Sequence, residues 1–219
     1  MDYNMSSNLD IISPYKNIIQ HTKIQIHPHQ MNSDIKNNMK IVLQKKVEHK
    51  CNNNGYIDEI FDIEEYSDGI MIPENLSGSI NYDIKYSCRL CLPLENSIII
   101  GQIKAINYEL VCVSNGPITI FIPQKNIDTN IWNVSNDITH IKSNNTLKIS
   151  DYVKVLITRI KINKGAKQII CMGKLVEFAT NNEKIKFFGT ALNEEENQDN
   201  SENDNDNNND NDKNTNFII

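Results

Sequence analysis

Residues 79–92 read Ser-Ile-Asn-Tyr-Asp-Ile-Lys-Tyr-Ser-Cys-Arg-Leu-Cys-Leu. Every second one is apolar: Ile80, Tyr82, Ile84, Tyr86, Cys88, Leu90 and Leu92. Alternation held this long specifies a strand with one buried face. At roughly 3.3 Å per residue the strand spans about 45 Å, more than one small sheet needs. It predicts a strand that runs through one sheet and delivers the chain to a second body. Tyr82, Ile84 and Tyr86 should be buried, and Asn81, Asp83 and Lys85 should face outward.

The chain has 219 residues, enough for one large or two small domains. No apolar run approaches the length of a membrane span, so no membrane partner is expected. The start, MDYNMSSNLDII, lacks the basic opening and apolar core of a secretory signal. The five cysteines are therefore expected as free thiols in a reducing, intracellular setting. Sequons such as those at Asn75 and Asn144 then carry no glycan. The 34 asparagines and 36 isoleucines suggest an AT-rich genome, as in some large DNA viruses and some protists. The setting would be a viral factory or virion in the first case and a nucleus in the second.

The net charge of −6 is unevenly spread. Residues 191–219 hold nine acidic groups and one lysine, so the preceding 190 residues carry +2. This Asn/Asp/Glu-rich tail has almost no apolar residue before Phe217-Ile218-Ile219 and is expected to stay disordered. It could compete with a nucleic acid for a basic surface. The expected boundaries are an arm at 1–13, a first domain at 14–92, a second at 93–190 and the tail at 191–219.

The first domain opens with a predicted strand over Lys16–His27, stopped by Pro28. A helix follows from about Ser33, a residue able to cap it. Ile35, Met39, Val42, Leu43 and Val47 fall at helical spacing and make one apolar stripe for a sheet. The turn Cys51–Gly55 leads into a strand over 56–64, with Ile57, Phe61 and Ile63 on one side. Ser67-Asp68-Gly69 is a turn, and Ile70–Ile72 a short strand before the long one. The order β-α-β-β-β gives a strand-rich α+β domain with one helix on a small antiparallel sheet.

The second domain reads as strands alone. Ser97–Ile106, Glu109–Ser114, Ile118–Ile122, Asp151–Ile162 and Gln168–Met172 are its five runs, with turns at Asn115-Gly116-Pro117 and Lys164-Gly165. Val153, Val155 and Ile157 are out of phase with Ile160 and Ile162, which predicts a bulge. Five short strands with an irregular insertion after the third fit a Greek-key barrel of the OB type. The asparagine-rich insertion at 130–146 holds the only tryptophan, Trp132.

In this order the residues resemble a known family. The pieces are Ile26-His27-Pro28, Val47-Glu48-His49-Lys50-Cys51, Gly55-Tyr56-Ile57 and Gly69-Ile70-Met71-Ile72-Pro73. They continue with Tyr82–Tyr86, Gly116-Pro117-Ile118, Phe121-Ile122 and Asp151–Val155. Over about residues 15–188 the chain resembles the stalk subunit of archaeal and eukaryotic DNA-directed RNA polymerases. The resemblance implies a tip domain joined to an OB domain, a non-catalytic role in transcription, and no cofactor. It implies docking to the polymerase core subunits through the tip, with His27, Pro28, Gly55, Tyr56 and Pro73 as contact residues. Tyr56→Asp or Pro73→Asp would then release the chain with its fold intact. It further implies a fourth-subunit-like stalk partner and contact with nascent single-stranded RNA. The chain departs from the family where Cys91–Ser97 replaces an aromatic-rich segment, and where Leu110 and Cys112 stand in place of aromatics.

RNA contact also has an argument from charge. Lys154, Arg159, Lys161, Lys164, Lys167 and Lys174 lie against one acid, Asp151, on a predicted hairpin. Lys154 alternates with Val153 and Val155 and is expected to face out. The bland reading is a solvated strand face. The Cys88-x-x-Cys91 pair does not read as a metal site, because residues three apart on a strand point to opposite faces. No glycine loop, HExxH or nucleophile elbow supports catalysis. The competing reading is a free-standing single-stranded RNA-binding OB protein of translation or RNA processing.

Overall fold

The computed structural model describes residues 11–71, 73, 76–134 and 137–188. The acidic tail, most of the arm, and Ile72 of the predicted short strand lie outside the described residues. The first part comprises β1 (Tyr15–Ile26), a 3-10 turn at Pro28–Gln30, α1 (Ile35–Val47), β2 (Lys50–Cys51), β3 (Tyr56–Tyr66), β4 (Ile70–Met71) and β5 (Ile80–Cys91). The sheet order is β1-β5-β3-β2, and β4 pairs with β5 beyond the end of β3. β5 is the predicted spine. Ile84, Tyr86, Cys88 and Leu90 are buried, Tyr82 is half-buried against the same core, and Asp83 is exposed.

The α1 stripe covers this sheet. Met39 and Leu43 are buried against Ile24, Ile26, Ile57, Ile60, Ile63, Ile84 and Tyr86, with Ile35, Val42 and Val47 at the rim. Two expectations need correction. The N-cap is Asp34 rather than Ser33, and its side chain makes no capping bond. On β3 the inward residues are Ile57, Ile60 and Ile63, and Phe61 is exposed. The register against β5 slips between Ile57 and Glu59, Ile60 and Asp62, and Ile63 and Glu65. Each slip inserts a residue, so a strand of period two buries every third side chain. The two-residue β2 is an element that the sequence did not indicate.

The second part contains β6 (Ile98–Ile106), β7 (Leu110–Asn115), β8 (Ile118–Pro123), a 3-10 turn at Gln124–Asn126, β9 (Trp132–Val134), β10 (Ile138–His140), β11 (Tyr152–Lys161) and β12 (Ile169–Phe178). Five of these strands close a barrel in the order β6-β7-β8-β12-β11. β12 runs parallel to β8, and β11 closes antiparallel on β6. This is the OB-type arrangement. Ile118, Ile120, Ile122, Val153, Val155, Ile157, Cys171 and Leu175 fill the interior. Gly173 leaves room there, because a Cβ would collide with Val155 and approach Ile120 Cγ2 at 2.9 Å. The predicted bulge in β11 is present between Ile157 and Arg159, with another between Lys154 and Val155. The insertion is a hairpin, β9–β10, closed on the barrel by Trp132, whose Nε1–H donates to the Val176 carbonyl at 3.1 Å.

Residues through Ala179 form one compact unit, so the sheet and the barrel are joined directly. The β11–β12 turn bonds to β2: the Cys51 N–H donates to the Ala166 carbonyl, and the Gly165 N–H to the Cys51 carbonyl, both at 2.8 Å. A second unit begins at Thr180 and contains α2 (Asn181–Phe188).

Burial raises the thiols. Cys88 is pushed from 9.0 to about 11, and Cys91 and Cys171 to about 12, in each case chiefly by desolvation. All three stay neutral in the folded chain at pH values where the unfolded chain ionises. Stability is therefore expected to be flat up to about pH 8.5 and to fall as pH rises toward 11–12. A series of melting curves from pH 7 to 11.5 checks this, and a constant melting temperature throughout would contradict it.

Candidate nucleic-acid and docking interfaces

The five expected docking residues separate into two places. His27, Pro28 and Pro73 are exposed at the distal end of the sheet, where Ile26 pairs with Ile80. The His27 ring stacks on His29 at 5.8 Å, and its Nδ1 pairs with Ser79 Oγ at 2.9 Å. Gly55 and Tyr56 lie at the opposite end, where Tyr56 pairs with Cys91. The length of β5, roughly 35 Å, stands between the two groups. Tyr56 is only 8% exposed, and Gly55 has φ +146° with the Cys91 carbonyl 2.7 Å from where a Cβ would sit. These two residues build the sheet's barrel-side end and have no surface to offer. Around the distal end stand Ile70, Met71 and Leu76, the last 99% exposed. These apolar groups share the surface with Pro28 and Pro73.

The basic residues also separate. Lys154 does not face open solvent. Its side chain is 15% exposed and ion-paired with Glu177 at 3.3 Å, across the β11–β12 pair. Arg159, Lys161, Lys164, Lys167 and Lys174 are exposed. Among the described residues no carboxylate lies within ion-pair distance of these five. Lys164 and Lys167 flank the turn bonded to β2, whereas Arg159, Lys161 and Lys174 lie on the barrel wall. Arg159 and Lys174 line a cleft of about 320 Å³ with Thr158, Met172, Lys125 and Asn126. The Asn126 side chain pins the 3-10 turn to β12 by donating to the Gly173 carbonyl at 3.1 Å. Lys125 lies far from the hairpin in sequence, so no local run of charge points to it.

Cys88 and Cys91 lie on opposite faces, as their spacing requires. Cys88 belongs to the sheet's core, and Cys91 meets Tyr15, Asp58 and Cys171.

The comparisons with known proteins agree with this architecture. Residues 21–75 match the model of the SHS2 domain found in the N terminus of Rpb7p/Rpc25p/MJ0397. A putative DNA-directed RNA polymerase subunit of Acanthamoeba polyphaga mimivirus is 35% identical over 162 residues, covering 74% of this chain and 81% of that protein. The chain belongs to the RPB7-like family of RNA polymerase stalk subunits. RPB7-like relatives extend to plants. RNA polymerase II subunit RPB7 of Glycine max and subunit 7 of Arabidopsis thaliana are each 23% identical over 160 residues, 72% of this chain and 90% of theirs. The SHS2 match ends within the exposed distal group, and the RPB7-like barrel lies outside it.

Proposed function

We propose that this RPB7-like chain is a non-catalytic subunit of a DNA-directed RNA polymerase. It docks on the polymerase core through the distal end of its sheet and presents the barrel to emerging single-stranded RNA. The observation that carries the docking is the apolar group Ile70, Met71, Pro73 and Leu76 beside Pro28, exposed far from the barrel. Apolar anchors exposed on loops are what a partner's pocket buries. A fourth-subunit-like partner completing the stalk belongs to the same reading. The mimivirus relative favours a viral polymerase over a nuclear one.

The test is recovery of the large polymerase subunits with the tagged full chain. Leu76→Asp and Met71→Asp are expected to cut that recovery roughly 10-fold or more, as loss of an interface anchor does, and to leave the melting curve unchanged. Unchanged recovery with both variants would move the docking surface elsewhere. No recovery with the parent chain would remove the reading itself.

A further inference from the structure

One end of the barrel holds an apolar cavity that the proposed function does not use. The β6–β7 turn forms one wall. The Asn107 N–H donates to the Leu110 carbonyl at 2.9 Å, and the Gln124 N–H donates to the Glu109 carbonyl at 3.0 Å. The β9–β10 hairpin and the chain after it form the other wall. The Leu147 N–H donates to the Ile138 carbonyl at 2.8 Å, and the Ser150 N–H donates to the Ile103 carbonyl at 2.9 Å, which ties this wall back to β6. Between the walls lies a cavity of about 470 Å³, lined by Ile106, Leu110, Ile127, Val134, Ile138 and Leu147. Ligand pockets span roughly 300–1,000 Å³, so the space is large enough for a group of side chains. Lys148, Tyr108 and Ile149 also line it, and the last two are 83% and 63% exposed. An open apolar cavity rimmed by uncovered apolar side chains calls for an occupant.

We propose that this cavity binds the chain's own C-terminal Phe217-Ile218-Ile219, with the terminal carboxylate held at Lys148. The sequence supplies the ligand. Residues 193–216 hold no aliphatic or aromatic side chain, so the three apolar residues that end the chain have no neighbours to form a core with. The tether is long enough. Phe178, the last residue of β12, packs on Trp132 of the hairpin wall with ring centres 5.2 Å apart, so the backbone leaves the barrel beside that wall. Counting from Phe188 to Phe217, 29 residues of coil span roughly 30 Å. A tethered end meets its site at an effective concentration on the order of 1 mM, so an intrinsic Kd of about 1 mM already fills half the sites. Charge sets the direction of entry. Lys148 has no ion-pair partner among the described residues. Asp137, also in the lining, opposes the acidic run and leaves only the apolar end to enter.

The experiment replaces Phe217 by p-benzoylphenylalanine in the full chain and irradiates the purified protein at low micromolar concentration. Adducts are mapped by mass spectrometry. The expected main product is an intramolecular adduct on the β6–β7 turn or on the cavity-lining part of 134–149. Tyr108→Asp and Ile149→Asp, both on exposed positions, are each expected to cut its yield about 5-fold or more, and Lys148→Gln about 2-fold. Circular dichroism melting confirms that each variant is folded. Adducts scattered over the surface, or none, would overturn the proposal. So would an adduct on the barrel wall at Arg159 or Lys174, which would mean that the acidic run binds and the apolar end does not. Adducts found only between chains, rising with protein concentration, would make the occupant a second copy's terminus and refute the contact within one chain. A cavity adduct whose yield ignores Tyr108→Asp and Ile149→Asp would likewise refute it. No polymerase enters the measurement, so its failure leaves the proposed function standing.

Discussion

Tyr56→Asp is expected to cost the folded chain more than about 3 kcal/mol, a large share of a domain's usual ~5–15 kcal/mol. The ring is buried between Cys51, Asp58 and Cys91, at the point where β3 starts and pairs with the end of β5. Truncating an aromatic core residue costs roughly 3–5 kcal/mol on its own. A carboxylate there adds desolvation and faces Asp58, a group of like charge, so ionisation is opposed twice. The substituted carboxyl would have a raised pKa. Its penalty should be greatest at neutral pH and shrink as pH falls through that raised value. Urea unfolding at pH 7 and pH 5 measures both effects. A stable variant at pH 7 would show that this end of the sheet can open without harm. Leu76→Asp, at the exposed distal end, supplies the contrast: equal charge added, with the midpoint expected unchanged.

Trp132→Ala should be comparably damaging, at roughly 3–5 kcal/mol. The indole is fully buried against His140 at 4.9 Å and Phe178 at 5.2 Å between ring centres. Its loss opens a cavity beneath β9–β10 and strips the Val176 carbonyl of its donor. Trp132→Phe keeps a smaller ring and loses the N–H and part of the indole, so a cost above about 1 kcal/mol but below that of alanine is expected. Because Trp132 is the sole tryptophan, its emission in the parent chain reports closure of the hairpin on the barrel. Chemical denaturation followed by circular dichroism gives the two variant stabilities. Equal stability of Trp132→Ala and the parent would mean that the hairpin is an ornament on a self-sufficient barrel.

Where the backbone keeps a regular period, the sequence is legible. The alternation of β5, the stripe of α1 and the five barrel strands are local patterns, and each matches an element of the structure. β3 is not legible in this way, because its three slips are set by pairing with β5 and leave Phe61 on the phase that a regular strand would bury. Lys154 reads as exposed from its own strand, but its partner Glu177 belongs to the next one. Gly55 and Tyr56 read as surface motif residues because a motif has no direction, whereas β5 has two distant ends. The Trp132 hairpin was illegible because its single large apolar anchor sits in an asparagine-rich run.

The bonds between Cys51 and the Gly165–Ala166 turn bear on how force moves through this molecule. A stalk hinged at a free linker would absorb any displacement of its foot. Here β5 carries the backbone from the distal loops to the barrel, and β2 grips the barrel's own turn, so the two ends share one frame. Bending at the junction would break paired backbone groups that water can replace only once the joint has opened. A displacement imposed on the distal loops is therefore expected to be passed to the barrel rather than absorbed at the junction.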